Sequence, residues 1–295
     1  MRIFLTGANG WIGSVIADDL LAAGHTVAGL VRSVEKASAL AGGIAPMIGD
    51  LGDLDLLRRA AADADGVIHT AFGLDFSKLA KMAEEERLAL EAIGEVFAGS
   101  ARPILVTGGV LLTPPGELFT EAARPPVDPK FPRASEQTAF ALADRGVHAS
   151  VVRNPRSVHG RGERHGFVPM LAAIAREKGF SAYVGDGDNL WPAVHRGDAA
   201  RVYRLAIERG ALGEAYHAIA EEGVFFRLIA GAIGRQLGLP TRSIASSEAD
   251  AHFGGIAMFA SGNGPASSQW TRDVLGWEPD RPGIIADIER PDYSE

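Results

Sequence analysis

The feature that most constrains the fold is a set of spaced glycines directly after the first apolar segment. Residues 2–6 read Arg-Ile-Phe-Leu-Thr, and Gly7, Gly10 and Gly13 follow in the pattern T-G-x-x-G-x-x-G. In a strand-to-helix turn of this kind, one glycine permits the tight turn, a second lets a phosphate approach and a third lets the helix pack on the strand. The N-terminus of that helix favours an anion. The pattern therefore predicts a strand, turn and helix that bind a pyrophosphate.

Predicted strands and helices alternate through the first half of the chain. The segments at 66–69 and 104–107 are short and apolar on both faces, as expected where helices cover both sides of a sheet. This alternation predicts an α/β fold with a doubly wound parallel sheet. We expect strands at 2–6, 26–31, 45–48, 66–70, 104–107 and 149–153, and helices from Trp11 and at 34–41, 54–62, 78–98 and 135–145.

The second half of the chain has a less regular pattern. Beyond about residue 158 the sequence becomes rich in glycine, proline and histidine. We expect a nucleotide-binding domain over 1–158 and a smaller C-terminal substrate lobe over 159–295, with about 191–220 returning to the first domain. Within the second half the pattern predicts an irregular stretch at 183–195, helices at 199–209 and 225–236, and a strand at 215–219.

Composition narrows the class of protein. The 295 residues carry a net charge of −8, which argues against nucleic acid as a partner because phosphate binding requires a basic face. The chain has no cysteine, which excludes disulfides, thiolate catalysis and zinc–thiolate sites. His195 and Asp198 lack the spacing and companions of a metal site, so we expect no metal. No apolar run is long enough for a membrane span, and we expect a cytoplasmic protein.

Five motifs are spread along the chain: T-G-x-x-G-x-x-G, Gly49-Asp50-Leu51, His69-Thr70-Ala71, Val152-Arg153-x-Pro155, and W-P-A-V-H-x-x-D over 191–198. Together they resemble the motifs of one family, the extended or atypical short-chain dehydrogenase/reductases, which are related to the NAD-dependent epimerase/dehydratases. The resemblance implies a Rossmann-type sheet, a smaller C-terminal substrate lobe, bound NAD(P), a small-molecule substrate and often a homodimer. The helices around 84–98 and 135–145 would pair in such a dimer.

The resemblance also implies which residues bind the cofactor. One group would hold the pyrophosphate, a second would flank the adenine, and a third would line the ribose next to the nicotinamide. These groups are, in turn, Gly7, Asn9, Gly10, Trp11 and Ile12; Asp50 and Leu51; and Thr70, Ala71 and Phe72, with Gly13, Thr107, Arg153 and Pro155 as further cofactor-binding residues.

The end of the second predicted strand indicates which dinucleotide is bound. NAD enzymes usually place an acidic residue there for the ribose 2′-hydroxyl, whereas NADP requires a cation for the 2′-phosphate. Here Arg32 and Ser33 follow the strand, and the first carboxylate is Glu35. Because arginine offers a bidentate phosphate contact and serine a hydroxyl beside it, we expect NADP(H).

The family's usual proton donor is missing. The family implies a tyrosine and a lysine in a Y-x-x-x-K pair, but the first tyrosine of this chain is Tyr183. One alignment register places Pro132 and Glu136 at the two positions, and the other places Asp128 and Pro132 there. Neither register supplies the pair. Tyr183 or Tyr216 would have to reach in from the second lobe.

Thr107 and His159 are the remaining candidate catalytic residues. Thr107 ends the fifth predicted strand, where the family more often has a Ser/Thr pair, and its hydroxyl would touch either the substrate or the nicotinamide. His159 lies near the expected substrate entrance, and the ordinary pKa of histidine suits a general acid. The alternative for His159 is a side chain hydrogen-bonded within its own loop.

Two classes of function follow. The first is an NADPH-dependent reductase of a small, mostly apolar carbonyl, imine or activated alkene, acting without the Tyr/Lys relay. The second is a protein that binds NADP(H) without turnover, as a sensor or regulator. A sugar-nucleotide epimerase or dehydratase is a third hypothesis, disfavoured because those enzymes generally need the same tyrosine and lysine.

Overall fold

The computed structural model describes residues 1–72, 78–124, 126, 132–209, 213–290 and 293. Contacts divide the chain into two units, each with its own hydrophobic core. The first unit comprises Met1–Gly108, Ala122–Arg153 and Ala200–Tyr216. The second comprises Gly109–Glu121, Asn154–Ala199 and His217–Glu295.

Strands and helices within the described ranges are numbered in chain order. The strands are β1 Arg2–Thr6, β2 Thr26–Val31, β3 Ile44–Ile48, β4 Gly66–His69, β5 Ile104–Gly109, β6 Ala149–Asn154, β7 Ser157–His159, β8 Ser181–Val184, β9 Leu190–His195, β10 Ala215–His217, β11 Glu221–Phe225 and β12 Thr241–Ile244. The helices are α1 Gly13–Ala22, α2 Val34–Ser38, α3 Leu54–Ala62, α4 Leu79–Phe97, α5 Ser135–Asp144, α6 Phe167–Lys178, α7 Arg196–Arg209, α8 Phe226–Leu237, α9 Ala249–Phe253, α10 Ala257–Ser261, α11 Gln269–Leu275 and α12 Ile284–Ile288.

A parallel sheet forms the centre of the first unit. Among the described residues its strand order is β10-β6-β5-β4-β1-β2-β3. Residues Ile3, Phe4 and Leu5 of β1 have no exposed surface, as expected for a strand covered by helices on both faces. The order of the strands reverses direction between β1 and β4, and ligands of such sheets bind outside the carboxyl ends of the strands at that point. The expected doubly wound sheet is confirmed.

The second unit has smaller sheets around a separate core. In the described part of this unit, β11, β9 and β7 form one sheet, and β12 and β8 form another. Trp191 of β9 and Phe226 of α8 are fully buried, with their ring centroids 4.9 Å apart. Their packing joins the three-stranded sheet to the helices of this unit.

Some sequence-based boundaries were wrong. Residues 183–195, expected to be irregular, contain the end of β8 and all of β9. The proline at 192 disfavoured a strand because it lacks an N–H donor, yet β9 pairs on both sides. Helix α2 ends at Ser38 rather than at residue 41, and β10 ends at His217 rather than at 219. In the described part of the chain, no helix is long and apolar enough to cross a membrane.

Candidate cofactor site

The glycine turn has little room for side chains. Gly7 has a φ of 72°, and a Cβ atom there would lie 2.7 Å from Thr70 Oγ1. A Cβ on Gly13 would lie 2.1 Å from the carbonyl oxygen of Gly7, and the N–H of Gly10 donates to that same oxygen at 2.8 Å. Helix α1 begins at Gly13, and no described side chain caps it. This close-packed backbone turn before an uncapped helix N-terminus suits a pyrophosphate.

Two threonines tie β1 to β4 beside this turn. Thr70 Oγ1 donates to the carbonyl oxygen of Thr6 at 2.8 Å. In return, Thr6 Oγ1 accepts from the N–H groups of Thr70 at 3.2 Å and Ala71 at 3.3 Å. The predicted ribose-side residues Thr70 and Ala71 are therefore fixed at the point where the strand order reverses.

The other predicted cofactor residues of the first unit lie in loops after its strands. Asn9 is exposed, and Trp11, Ile12 and Phe72 are half-buried. Asp50, after β3, is exposed and accepts a hydrogen bond from the N–H of Gly52 at 2.9 Å, whereas half-buried Leu51 packs against the core.

Arg32 and Ser33 follow β2 but differ in what they contact. The Arg32 side chain is exposed and makes no hydrogen bond or ion pair with a described residue. Ser33 caps α2, where its hydroxyl accepts from the N–H of Lys36 at 3.3 Å. A hydrogen bond from Ser33 also holds the pKa of Glu35 below its ordinary value. The Ser33 hydroxyl is thus already hydrogen-bonded within α2, whereas the Arg32 guanidinium is available to bind a ligand.

In one of the two alignment registers, the position of the family's lysine is Glu136, which carries the opposite charge and forms a buried ion pair. Glu136 of α5 accepts from Arg153 of β6 at 2.9 Å (Nε to Oε2) and 2.6 Å (Nη2 to Oε1). Arg153 also donates to the carbonyl oxygen of Ala123 at 2.6 Å. Its side chain has no exposed surface, so this geometry offers no surface for the cofactor contact expected of Arg153. Asp128, the alternative position for the missing pair, lies outside the described residues.

Thr107 uses its hydroxyl inside the first unit. Its Oγ1 donates to the carbonyl oxygen of His69 at 2.8 Å and lies 2.9 Å from the hydroxyl oxygen of Tyr203, which is fully buried. Because the one proton of Thr107 goes to His69, Tyr203 is the donor in the second bond. The substrate role of Thr107 stays a prediction, and it would require these bonds to rearrange.

His159 lies in the second unit and is almost fully buried. Its Nδ1 is 2.7 Å from Asp287 Oδ2, and its Nε2 has no hydrogen-bond partner among the described residues. His159 therefore lies in strand β7 and contacts Asp287 of α12, rather than hydrogen-bonding within its own loop as the alternative had it. Its catalytic role stays a prediction. Pro155 is also buried in this unit, Tyr216 is buried in β10, and Tyr183 is half-buried in β8.

Sequence reasoning missed a polar network at the carboxyl ends of β1 and β4. His69 Nδ1 is 2.9 Å from Thr6 Oγ1, and His69 Nε2 is 3.3 Å from Oε1 of Glu86 on α4. Arg133 donates to both carboxylate oxygens of Glu86, at 2.9 and 3.2 Å. Burial raises the pKa of Glu86, but the hydrogen bond from His69 and the charge of Arg133 outweigh it and lower the pKa. The missed signal was a glutamate within the buried face of α4, between Ala83 and Leu90.

The sheet, its reversal point and the glycine turn define a dinucleotide-binding protein of the Rossmann class. The family model described as NAD(P)H-binding matches residues 7–153. An uncharacterized protein of Schizosaccharomyces pombe is 47% identical over 295 residues, covering 99% of this chain and 100% of that one. A 4-hydroxy-2-methyl-3-oxo-4-farnesyl-3,4-dihydroquinoline-1-oxide ketoreductase of Stigmatella aurantiaca is 30% identical over 73% of this chain and 67% of its own.

Among solved structures, a dTDP-glucose 4,6-dehydratase of Streptomyces venezuelae with NAD bound has a similar fold. Its TM-score is 0.77 at 19% identity, with 98% of this chain and 96% of that chain covered. The chain belongs to the short-chain dehydrogenase/reductase superfamily. Its fold is similar to that of the epimerase/dehydratase-type structures.

Proposed function

We propose that the protein is an NADPH-dependent reductase that acts on a small carbonyl, imine or activated-alkene substrate. Two features support dinucleotide binding. One is the glycine turn after β1, and the other is the set of hydrogen bonds that joins Thr6 of β1 to Thr70 and Ala71 after β4. The relationship to a ketoreductase supports reduction as the reaction. When bound, NADPH supplies the hydride, and the protein supplies binding, orientation and electrostatic stabilisation.

Arg32 is the observation that favours NADPH over NADH. Its exposed side chain follows β2. In dinucleotide-binding folds, residues at the end of this strand contact the 2′-hydroxyl or 2′-phosphate of the adenosine ribose. A 2′-phosphate would give this cation a partner that no described residue provides. The nearby carboxylate of Glu35 has a hydrogen bond from Ser33 and belongs to the first turn of α2.

Binding measurements test this preference. Dissociation constants for NADPH and NADH would be measured by nicotinamide fluorescence on the wild type, Arg32→Ala and the control Arg59→Ala, which removes an exposed arginine of α3. We expect the wild type to prefer NADPH. Because a charge-assisted phosphate contact contributes about 1.5–3 kcal/mol, Arg32→Ala should weaken NADPH binding roughly 10- to 100-fold and leave NADH binding unchanged. A wild-type preference for NADH would contradict the proposal.

A turnover assay tests the reductase assignment itself. Oxidation of NADPH would be followed at its absorbance band with a panel of ketones, cyclic imines and enones. Consumption of NADPH together with formation of the reduced product supports the proposal.

A non-catalytic NADP(H) sensor is the second candidate function. The observation that favours it is the Glu136–Arg153 pair, because in one of the two registers Glu136 occupies the lysine position of the usual proton relay and carries the opposite charge. Tight NADPH binding without turnover across the panel would favour the sensor over the reductase.

A further inference from the structure

Arg133 lies beyond the carboxyl ends of β4 and β5, at the edge where the cofactor residues gather. Its Nη2 donates to the carbonyl oxygen of Thr107 at 3.2 Å. Its guanidinium carbon lies 3.9 Å from the ring centroid of Phe72, which directly follows Thr70 and Ala71. The arginine is therefore in the same part of the first unit as the predicted ribose-side residues.

The contacts of Arg133 leave one nitrogen uncommitted. Nε and Nη2 are both bonded to the carboxylate of Glu86, and Nη2 also bonds to Thr107. Within the described residues Nη1 has no hydrogen-bond partner, and 19% of the side chain's surface is exposed to solvent. Nη1 thus keeps two N–H donors uncommitted, on a side chain that is partly exposed.

The network behind Arg133 holds it in one orientation. Thr6 Oγ1 already accepts from two backbone N–H groups, so its own proton points to Nδ1 of His69. His69 then carries its proton on Nε2 and donates to Glu86. Glu86 is 1% exposed, and its two oxygens hold the guanidinium in a fork. A donor fixed in this way needs little reorganisation when charge develops beside it.

We propose that Arg133, through Nη1, binds the carbonyl oxygen of the substrate and stabilises the negative charge that forms there. The proposal rests on the reductase function given above. As hydride reaches the carbonyl carbon, or the β-carbon of an enone, the π-electron pair moves to oxygen. The guanidinium keeps its own protons and stabilises the alkoxide or enolate, which takes a proton from water. Arg133 thereby performs one task of the missing tyrosine and leaves the other to solvent.

This role also narrows the substrate class. A fixed guanidinium attracts an oxygen that becomes negative, but it repels the cationic iminium that an imine reductase must bind. Among the three substrate types, the site therefore favours ketones and enones.

Carboxamides provide a binding test that does not depend on turnover. Benzamide and isobutyramide carry a carbonyl oxygen but accept no hydride, and their binding to NADPH-loaded protein would be followed by saturation-transfer NMR. We expect Arg133→Gln to weaken amide binding about tenfold or more, with Arg133→Lys intermediate because it keeps the charge but not the planar fork. NADPH affinity should stay within about threefold.

Two further variants control for structural effects. Arg124→Gln removes another arginine of the first unit that lies over a phenylalanine, with its guanidinium carbon 4.3 Å from the Phe140 ring centroid. It should bind amides as the wild type does. Because Arg133→Gln leaves the buried Glu86 carboxylate without its cation, the double variant Glu86→Gln/Arg133→Gln tests the same site without an unpaired charge. It should also lose amide binding.

The outcomes separate this proposal from the reductase assignment. Arg133-dependent amide binding without any NADPH oxidation would support the oxygen site and contradict the reductase. Ketone reduction at wild-type kcat/KM in Arg133→Gln would overturn the oxygen site and leave the reductase standing. Failure of the wild type to bind either amide would also overturn the oxygen site.

Discussion

Glu136 and Arg153 form a two-pronged ion pair inside the first unit, with N···O distances of 2.9 and 2.6 Å. Both side chains are buried, and that of Arg153 has no exposed surface at all. Removing one partner of a buried pair leaves an uncompensated charge, which is far more costly than removing one partner of an exposed pair.

We expect Glu136→Gln to lower the free energy of unfolding by about 3–5 kcal/mol, measured by urea denaturation. The control is Glu95→Gln, which removes an exposed carboxylate 3.0 Å from Arg58 and should cost about 1 kcal/mol or less. Equal losses in the two variants would show that the buried pair has no special weight in stability.

Gly108 explains why a family-type serine does not fit beside that pair. A Cβ atom at this position would lie 2.9 Å from Val151 Cγ1 and 3.0 Å from Glu136 Oε2. At the neighbouring Gly109, the nearest atom to an added Cβ is the carbonyl oxygen of Asn154, at 3.8 Å. The two adjacent glycines thus differ in the space around them.

Gly108→Ser should therefore destabilise the protein by about 1–3 kcal/mol through overpacking, and it should not raise reductase activity. Gly109→Ser, the matched control, should change the free energy of unfolding much less. Thermal and urea unfolding of both variants would check this. A Gly108→Ser protein as stable as Gly109→Ser would be inconsistent with a crowded Glu136–Arg153 pair.

The sequence was sufficient to predict the parallel sheet and the glycine turn because both depend on local patterns. Apolar strands alternate with helices, and the spacing of Gly7, Gly10 and Gly13 reflects backbone contacts within one turn. Prediction failed where long-range pairing overrode local preference, as in β9, where Pro192 lies in a strand paired on both sides.

The polar side chains of the site were harder to predict because their partners are distant in sequence. Arg133 contacts Glu86, 47 positions away, and Thr107 contacts Tyr203, 96 positions away. Nothing in the residue type of Arg153 distinguishes a cofactor contact from a buried ion pair. The ion pair becomes visible only in the fold, where the packing of α5 brings Glu136 close to Arg153.

The hydrogen bond between the hydroxyl groups of Thr107 and Tyr203 allows the predicted catalytic role of Thr107 to be tested against a structural role. If the bond stabilises the fold, Tyr203→Phe and Thr107→Val should each cost about 1–2 kcal/mol, and a double-mutant cycle should show a coupling energy of about 0.5–1.5 kcal/mol. Urea denaturation would measure all four proteins. As a control, Tyr203→Phe combined with Thr138→Val, whose hydroxyl bonds to the carbonyl oxygen of Ala134, should be additive. A cycle without coupling, together with loss of turnover in Thr107→Val, would return Thr107 to the catalytic role.

Glu163 in the second unit makes stability depend on pH. It is 3% exposed, and the hydroxyl of Tyr293 donates to it, while the N–H of Gly162 donates to the carbonyl oxygen of Tyr293 at 3.0 Å. Burial raises the pKa of Glu163 from its ordinary value of 4.5 to about 8; the bond from Tyr293 lowers it, and the charge of Asp287 raises it further. The folded protein therefore holds the Glu163 proton more tightly than the unfolded chain does.

The sign of the effect follows from this raised pKa. The contribution of Glu163 to stability is fully present below pH 4.5 and is lost as the pH rises towards about 8. Glu163→Gln cannot ionise, so the free energy of unfolding of the wild type should fall relative to this variant by up to about 1.4 kcal/mol per pH unit across that window. Urea denaturation between pH 4.5 and 9 would measure it. Glu177→Gln, which removes a carboxylate that is 71% exposed, should follow the wild-type curve, and parallel curves for Glu163→Gln and the wild type would contradict a raised pKa at this buried carboxyl.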